Sequence, residues 1–312
     1  MATATSFACP NYSGVLYTRS NTQTPFLNLI GAPKQTNSVK FAVNQEYALV
    51  APSQPSISEI ASVNAPEAKP TGREQKYNVT QIFQETVSVS YAKQSNMGTL
   101  SGINVAGQQA APVDELAFQK AATMQKIMND IEYTCINGKF VEALDDNTAN
   151  QTRGILEAIE TNAMLETSGL SSSTIRSVLK SFFKSMYDNT KQYLNGHTIM
   201  VNSTIKGAIS EAYEGTHFVV SNGFKLAGVD IQDLMTDYGT MHIVLAPTIP
   251  ANTLLCFRPE ICHLVEQPTP GKGNFFYEEL GKKGAANEGE IFGQLGLDYG
   301  AEFLHGKLVF GS

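Results

Sequence analysis

The chain has no tryptophan, four cysteines in 312 residues and a charged share of 16%. Four thiols (Cys9, Cys135, Cys256 and Cys262) are too few to staple a chain of this length, and they fit reduced cysteines in a bacterial-type cytoplasm. No run approaches the ~20 apolar residues of a membrane span. Met1 to Gly14 has no basic region followed by an apolar one, so no secretory signal is expected and no membrane partner. A basic surplus is missing too. The net charge is −7 and the pI about 5.3, which argues against a protein whose main task is to coat nucleic acid. Acidic residues are absent from the first 45 positions: the first is Glu46, after Arg19, Lys34 and Lys40. The 42% of hydrophobic residues can fill a core, so global disorder is excluded.

Catalytic signatures are also missing. There is no nucleophile elbow, no His-Glu-x-x-His and no phosphate-binding loop. Gly271-Lys272-Gly273 has no Ser or Thr after the lysine and is a turn. Cys256, Cys262 and His263 lack zinc-knuckle spacing, and the five histidines are scattered. Neither an enzyme nor a cofactor or metal site is expected.

Residues 39–50 alternate apolar and polar, with Val39, Phe41, Val43, Tyr47 and Leu49 on one face. Residues 78–91 do the same through Val79, Phe83, Val87, Val89 and Tyr91. Between them lies a polar stretch broken by Pro52, Pro55, Pro66, Pro70 and Gly72. The pattern predicts a long two-stranded arm with a loose tip, reaching about 40 Å at ~3.3 Å per residue. Two strands cannot cover their own apolar face, so the arm must rest on its own body or on a neighbour.

Pro112 to Gly138 is the clearest helix, with Ala117, Ala121, Met124, Met128, Ile131 and Cys135 on one stripe. A second stripe runs from Ile175 through Val178, Leu179, Phe182, Phe183 and Met186 to Tyr187. Strands are expected at 198–201, 217–220, 229–234 and 241–246, with a helix from Ser203 stopped by Gly215. Helices interleaved with strands suggest an α/β module over about 148–246. The tail after Leu254 is Gly-rich, with short strands such as 296–299 and 307–310.

A mildly basic arm, a hairpin, a long helix, an α/β module and a return to short strands resemble the major capsid proteins of tailed bacteriophages, of the Hong Kong 97-type (Johnson) fold. Local runs carry the resemblance: Asn78 to Ser90, Asp114 to Gln119, Asp130-Ile131-Glu132, Thr152-Arg153-Gly154-Ile155, Asp237-Tyr238-Gly239-Thr240, Glu290 to Gln294, Leu297-Asp298-Tyr299-Gly300 and His305-Gly306-Lys307. It implies an α+β fold with an N-terminal arm (1–38), an extended loop (39–92), a peripheral domain with a spine helix (93–147 and 247–312) and an axial domain (148–246). It further implies a homo-oligomer of pentamers and hexamers. This shell would be made in the bacterial host cytoplasm and would enclose double-stranded DNA, with portal, scaffolding and decoration proteins as partners.

The extended-loop residues Phe41, Val43, Tyr47, Val79, Phe83, Val87, Val89 and Tyr91 are then the expected assembly contacts. Charges at Phe83 and Val87 are expected to block closure while leaving the monomer soluble. Arg19, Lys34 and Lys40 are expected to face the interior. An encapsulin-like nanocompartment shell and an α/β enzyme without a recognised motif are the alternatives.

Overall fold

The computed structural model describes residues 23–64, 70–95, 115–167, 169–213, 233–281 and 284–311. It is an α+β fold built around two sheets and one long helix.

That helix, α4 (Glu115–Asn137), follows three short ones: α1 (Pro25–Leu29), α2 (Glu59–Ser62) and α3 (Tyr91–Ser95). Its buried face is Ile127, Ile131, Glu132, Cys135 and Ile136, with Met124 and Met128 packed alongside. The predicted stripe is correct in period and turned slightly around the helix. Ala117 and Ala121 are exposed, because the buried face begins only at Ile127 in the second half of the helix.

The first sheet contains β1 (Gly31–Gln35), β10 (His263–Glu266), β12 (Ala286–Asp298) and β11 (Phe275–Glu279), with β4 (Gln81–Ser90) on the other edge of β12. β4 runs antiparallel to β12 over ten residue pairs, from Gln81↔Leu295 to Ser90↔Ala286. Two glycines of β12 make the pairing with β11 possible: the rings of Tyr277 and Phe275 lie where Cβ atoms at Gly289 and Gly293 would stand. A separate ribbon pairs β2 (Lys40–Glu46) with β3 (Glu74–Val79).

The second sheet has the order β5-β13-β9-β6-β8-β7: β5 (Ala163–Glu166), β13 (Gly306–Phe310), β9 (Thr253–Phe257), β6 (Thr198–Val201), β8 (Gly239–Leu245) and β7 (Asp233–Thr236). Both of its faces are covered. Ile199, Val201, Leu254 and Cys256 point into one core with α6 (Ile175–Thr190) and α7 (Ser203–Tyr213). Met200, Leu255 and Phe257, the alternate residues, point into a second core with α4 and α5 (Ile155–Ala158). One wall therefore serves two cores, which is why β9 is buried at all five positions.

One expectation is corrected here. Residues 78–91 are not one arm strand: pairing breaks at Thr80, and the part after it pairs with β12 in the body. β9 and β13, in the tail, complete the sheet of the α/β module. In the N-terminal stretch Phe26 is fully buried and meets the Phe257 ring at 5.1 Å. The predicted strand at 217–220, and 229–232 of the next, lie outside the described residues. Among those residues no helix is long and apolar enough to cross a membrane.

Candidate assembly surface and the joint behind it

The most exposed apolar stretch follows β2. Leu49 is 76% exposed, Val50 90%, Ile60 85% and Val63 82%. Tyr47 and Ile57 are also well exposed. From Tyr47 to Ile57 the chain makes no strand pairing among the described residues, and α2 follows with Ser58 as its cap: the Ser58 hydroxyl accepts from the Ala61 amide at 3.2 Å. An apolar patch of this kind, presented on a projecting segment, marks an interaction surface.

The predicted contact residues divide into two groups. Tyr47 and Tyr91 are exposed. Phe41, Val79, Phe83, Val87 and Val89 are buried in their own chain, and Val43 packs against the same core. Phe41 lies over Gly296, where a Cβ would stand 2.7 Å from its ring. Phe83 belongs to the core under α4. Within the chain, these residues hold the base of the segment. Sequence reasoning missed Val50, Ile57, Ile60 and Val63, because no period-two pattern marks them between the prolines.

Two of the three basic residues expected to face the interior make ion pairs within the chain. The Lys34 ammonium lies 2.7 Å from the carboxylate of Asp298, which is nearly buried. Lys40 sits 2.9 Å from Glu142 and 3.6 Å over the Tyr77 ring, and its bond to Glu142 raises its pKa. Both lysines are therefore engaged within the chain. Arg19 lies outside the described residues.

Behind the projection, several of the runs that carried the resemblance meet in one joint. The Asn78 side chain, fully buried, donates to the carbonyls of Leu297 (2.8 Å) and Arg153 (3.1 Å) and accepts from the amides of Arg153 (2.8 Å) and Val79 (2.9 Å). Gln81 accepts from the Thr152 amide at 3.2 Å, and the Thr152 hydroxyl accepts from the Leu297 amide at 3.2 Å. Gly154 stands so close to the end of α4 that a Cβ there would lie 2.5 Å from the Gly138 nitrogen. Glu132, fully buried on α4, accepts from the amides of Phe26 (2.9 Å) and Leu27 (3.0 Å) and so holds α1. Burial raises its pKa, and the two amides oppose the rise.

His305 completes the joint. Its Nε2 donates to the Tyr299 carbonyl at 2.7 Å and its Nδ1 accepts from the Arg258 amide at 3.2 Å, an arrangement that fits only the neutral ring. Burial lowers its pKa to about 4. Every one of these groups is spent on backbone or on another strand, as the polar groups of a core must be. Cys256 and Cys262 lie in different cores, their thiols pushed up by burial. No group of three metal-ligating side chains occurs among the described residues.

A joint of this kind positions a projection. The profile of the SU10 major capsid protein family matches residues 1–310. The chain belongs to that family. Its fold is the Hong Kong 97-type capsid fold. The capsid of the cyanophage P-SCSP1u superposes with a TM-score of 0.63 at 8% identity, covering 97% of this chain and 93% of that one. The capsid of a native GTA particle gives 0.64 at 11%, with 97% and 93% covered. The SrpI encapsulin of Synechococcus elongatus PCC 7942 gives 0.58 at 9%, with 96% and 91%. No protein of curated function matches the sequence. This major capsid protein is thus a structural shell protein of a phage particle.

Proposed function

We propose that copies of this chain close into an icosahedral shell of pentamers and hexamers around double-stranded DNA, with residues 47–63 of each copy lying on its neighbour. The observation that carries this is the apolar exposure of that segment above a base locked into its own body. Burying Leu49, Val50, Ile57, Ile60 and Val63 between copies is favourable at roughly 25 cal/mol per Å² of apolar surface, repeated over every contact.

In this reading residues 1–38 are the N-terminal arm and the projection within 39–92 is the extended loop. The α4 body with the first sheet is the peripheral part, and the sheet with α6 and α7 the axial part. A motor-filled shell needs no basic wall, in accord with a charge of −7. With Lys34 and Lys40 paired, an interior-facing arm has Arg19 as its basic contact. Portal, scaffolding and decoration proteins are the further partners, and synthesis takes place in the host cytoplasm.

The encapsulin-like alternative shares the fold, so shape does not separate the two; membership of a phage capsid family favours the virion. Expression of the chain, gel filtration and electron microscopy of the heaviest fraction test the proposal. Megadalton shells are expected, and a clean monomer or dimer overturns it.

A further inference from the structure

β4 is paired on one side only. Its ten residues bond to β12, and no strand among the described residues takes its other edge. An open edge of that length is a liability in a free protein and a template for a partner strand. Along its first half the edge faces α4 across a groove of about 310 Å³, with Gln81–Glu85 on one wall and Ile127, Asp130, Tyr133 and Thr134 on the other. Two apolar groups stand exposed at its rim, Ile82 at 54% and Tyr133 at 59%.

We infer that Tyr47–Ala51 of a second copy seats in this groove as an added strand on the edge of β4. The inference rests on the proposed shell and names where the loop lands. Three features match the two halves. Tyr47–Ala51 is an extended run without a strand partner, and it ends where Pro52 removes the next donor. Its five residues keep every amide and face a wall of five residues. It is uncharged between Glu46 and Glu59, so it brings no carboxylate against Asp130 and leaves the Glu85–Lys126 pair of the groove undisturbed. Its exposed Tyr47, Leu49 and Val50 find Ile82 and Tyr133 as apolar partners. A five-residue strand buries much less than the about 1,200 Å² of a stable protein pair. The contact therefore belongs to the closed particle and not to a free dimer.

The test uses assembled particles of the full chain. Cysteine is placed at Leu49 or Val50, combined with Ile82→Cys or Gln84→Cys, and each single variant serves as control. After oxidation, a ladder of covalent oligomers on a non-reducing denaturing gel is expected from at least one double variant and from no single one. Ala48→Pro removes one ladder donor and disturbs no bond within the chain. The lost bond weakens each contact about fivefold, compounded over the shell into a loss of most particles, and Ala48→Ser restores them. Particles that form without any cross-link, or Ala48→Pro particles in normal yield, overturn the inference and leave the shell standing. If the unmodified chain makes no particle, the proposed function fails and the inference falls with it.

Discussion

Replacing Glu132 by Leu tests the joint directly. Two backbone amides, the buried one of Phe26 and the partly buried one of Leu27, lose their acceptor, and each stranded donor costs up to about 1–3 kcal/mol. The carboxylate's desolvation, whose effect is seen in its raised pKa, is relieved at the same time and offsets part of the loss. A net destabilisation of about 3 kcal/mol is expected. For a chain of 312 residues that lowers Tm by roughly 4–5 °C. Hydrogen exchange should show the Phe26 and Leu27 amides losing protection first, since α1 has little else to hold its amino end.

The pH dependence has a definite sign. The folded pKa of Glu132 lies above the ordinary 4.5, so the native state binds this proton more readily than the unfolded one, and stability falls as pH rises from 4.5 through the folded value. Glu132→Leu lacks that slope, so its deficit is larger at the acidic end of the window than at neutral pH. Ala122→Leu, at an exposed position of the same helix, should leave Tm within the small range of surface substitutions. Unchanged amide protection in Glu132→Leu, or a deficit that grows with pH, would refute the reasoning.

Other substitutions separate the anchor from the contact surface. Phe83→Asp and Val87→Asp bury a charge in the chain's own body and should give insoluble or unfolded protein by circular dichroism, whereas Val50→Asp and Ile60→Asp should stay folded and monomeric yet form no shells by electron microscopy. Phe26→Ala should cost about 3–5 kcal/mol in denaturant unfolding, through the cavity left beside Phe257. His305 is held neutral, with a folded pKa of about 4 below the ordinary 6.5. Its contribution is complete above pH 6.5 and is lost as pH falls towards 4, by about 3 kcal/mol in all. His305→Gln should flatten that slope in unfolding curves measured across the window.

Much of this architecture is legible in the sequence where one face of an element is buried. The stripe from Ile175 to Met186 matches the buried face of α6, and residues 198–201 are a strand as expected. Legibility stops where a strand is covered on both faces or changes partner. Thr253–Phe257 is a short apolar run that alternation cannot distinguish from a helix segment. Asn78, Val79 and Thr80 are all buried at the junction of β3 and β4, yet the apolar rhythm continues across them, so the pattern predicts one strand where there are two. Phe26 opens a run too short to show a period, and its place in the core depends on two distant residues, Phe257 against its ring and Glu132 on its amide. The projecting apolar residues after Tyr47 were hidden for the opposite reason: they obey no period because nothing in their own chain packs against them.

The six-stranded sheet has one more consequence. With alternate residues of β6 and β9 committed to opposite cores, the body cannot hinge between its two halves without drawing strands past each other. In the shell proposed above, a tile this stiff would meet five-fold and six-fold surroundings with its body little changed, and the strain of curving a closed surface would collect in its outlying threads.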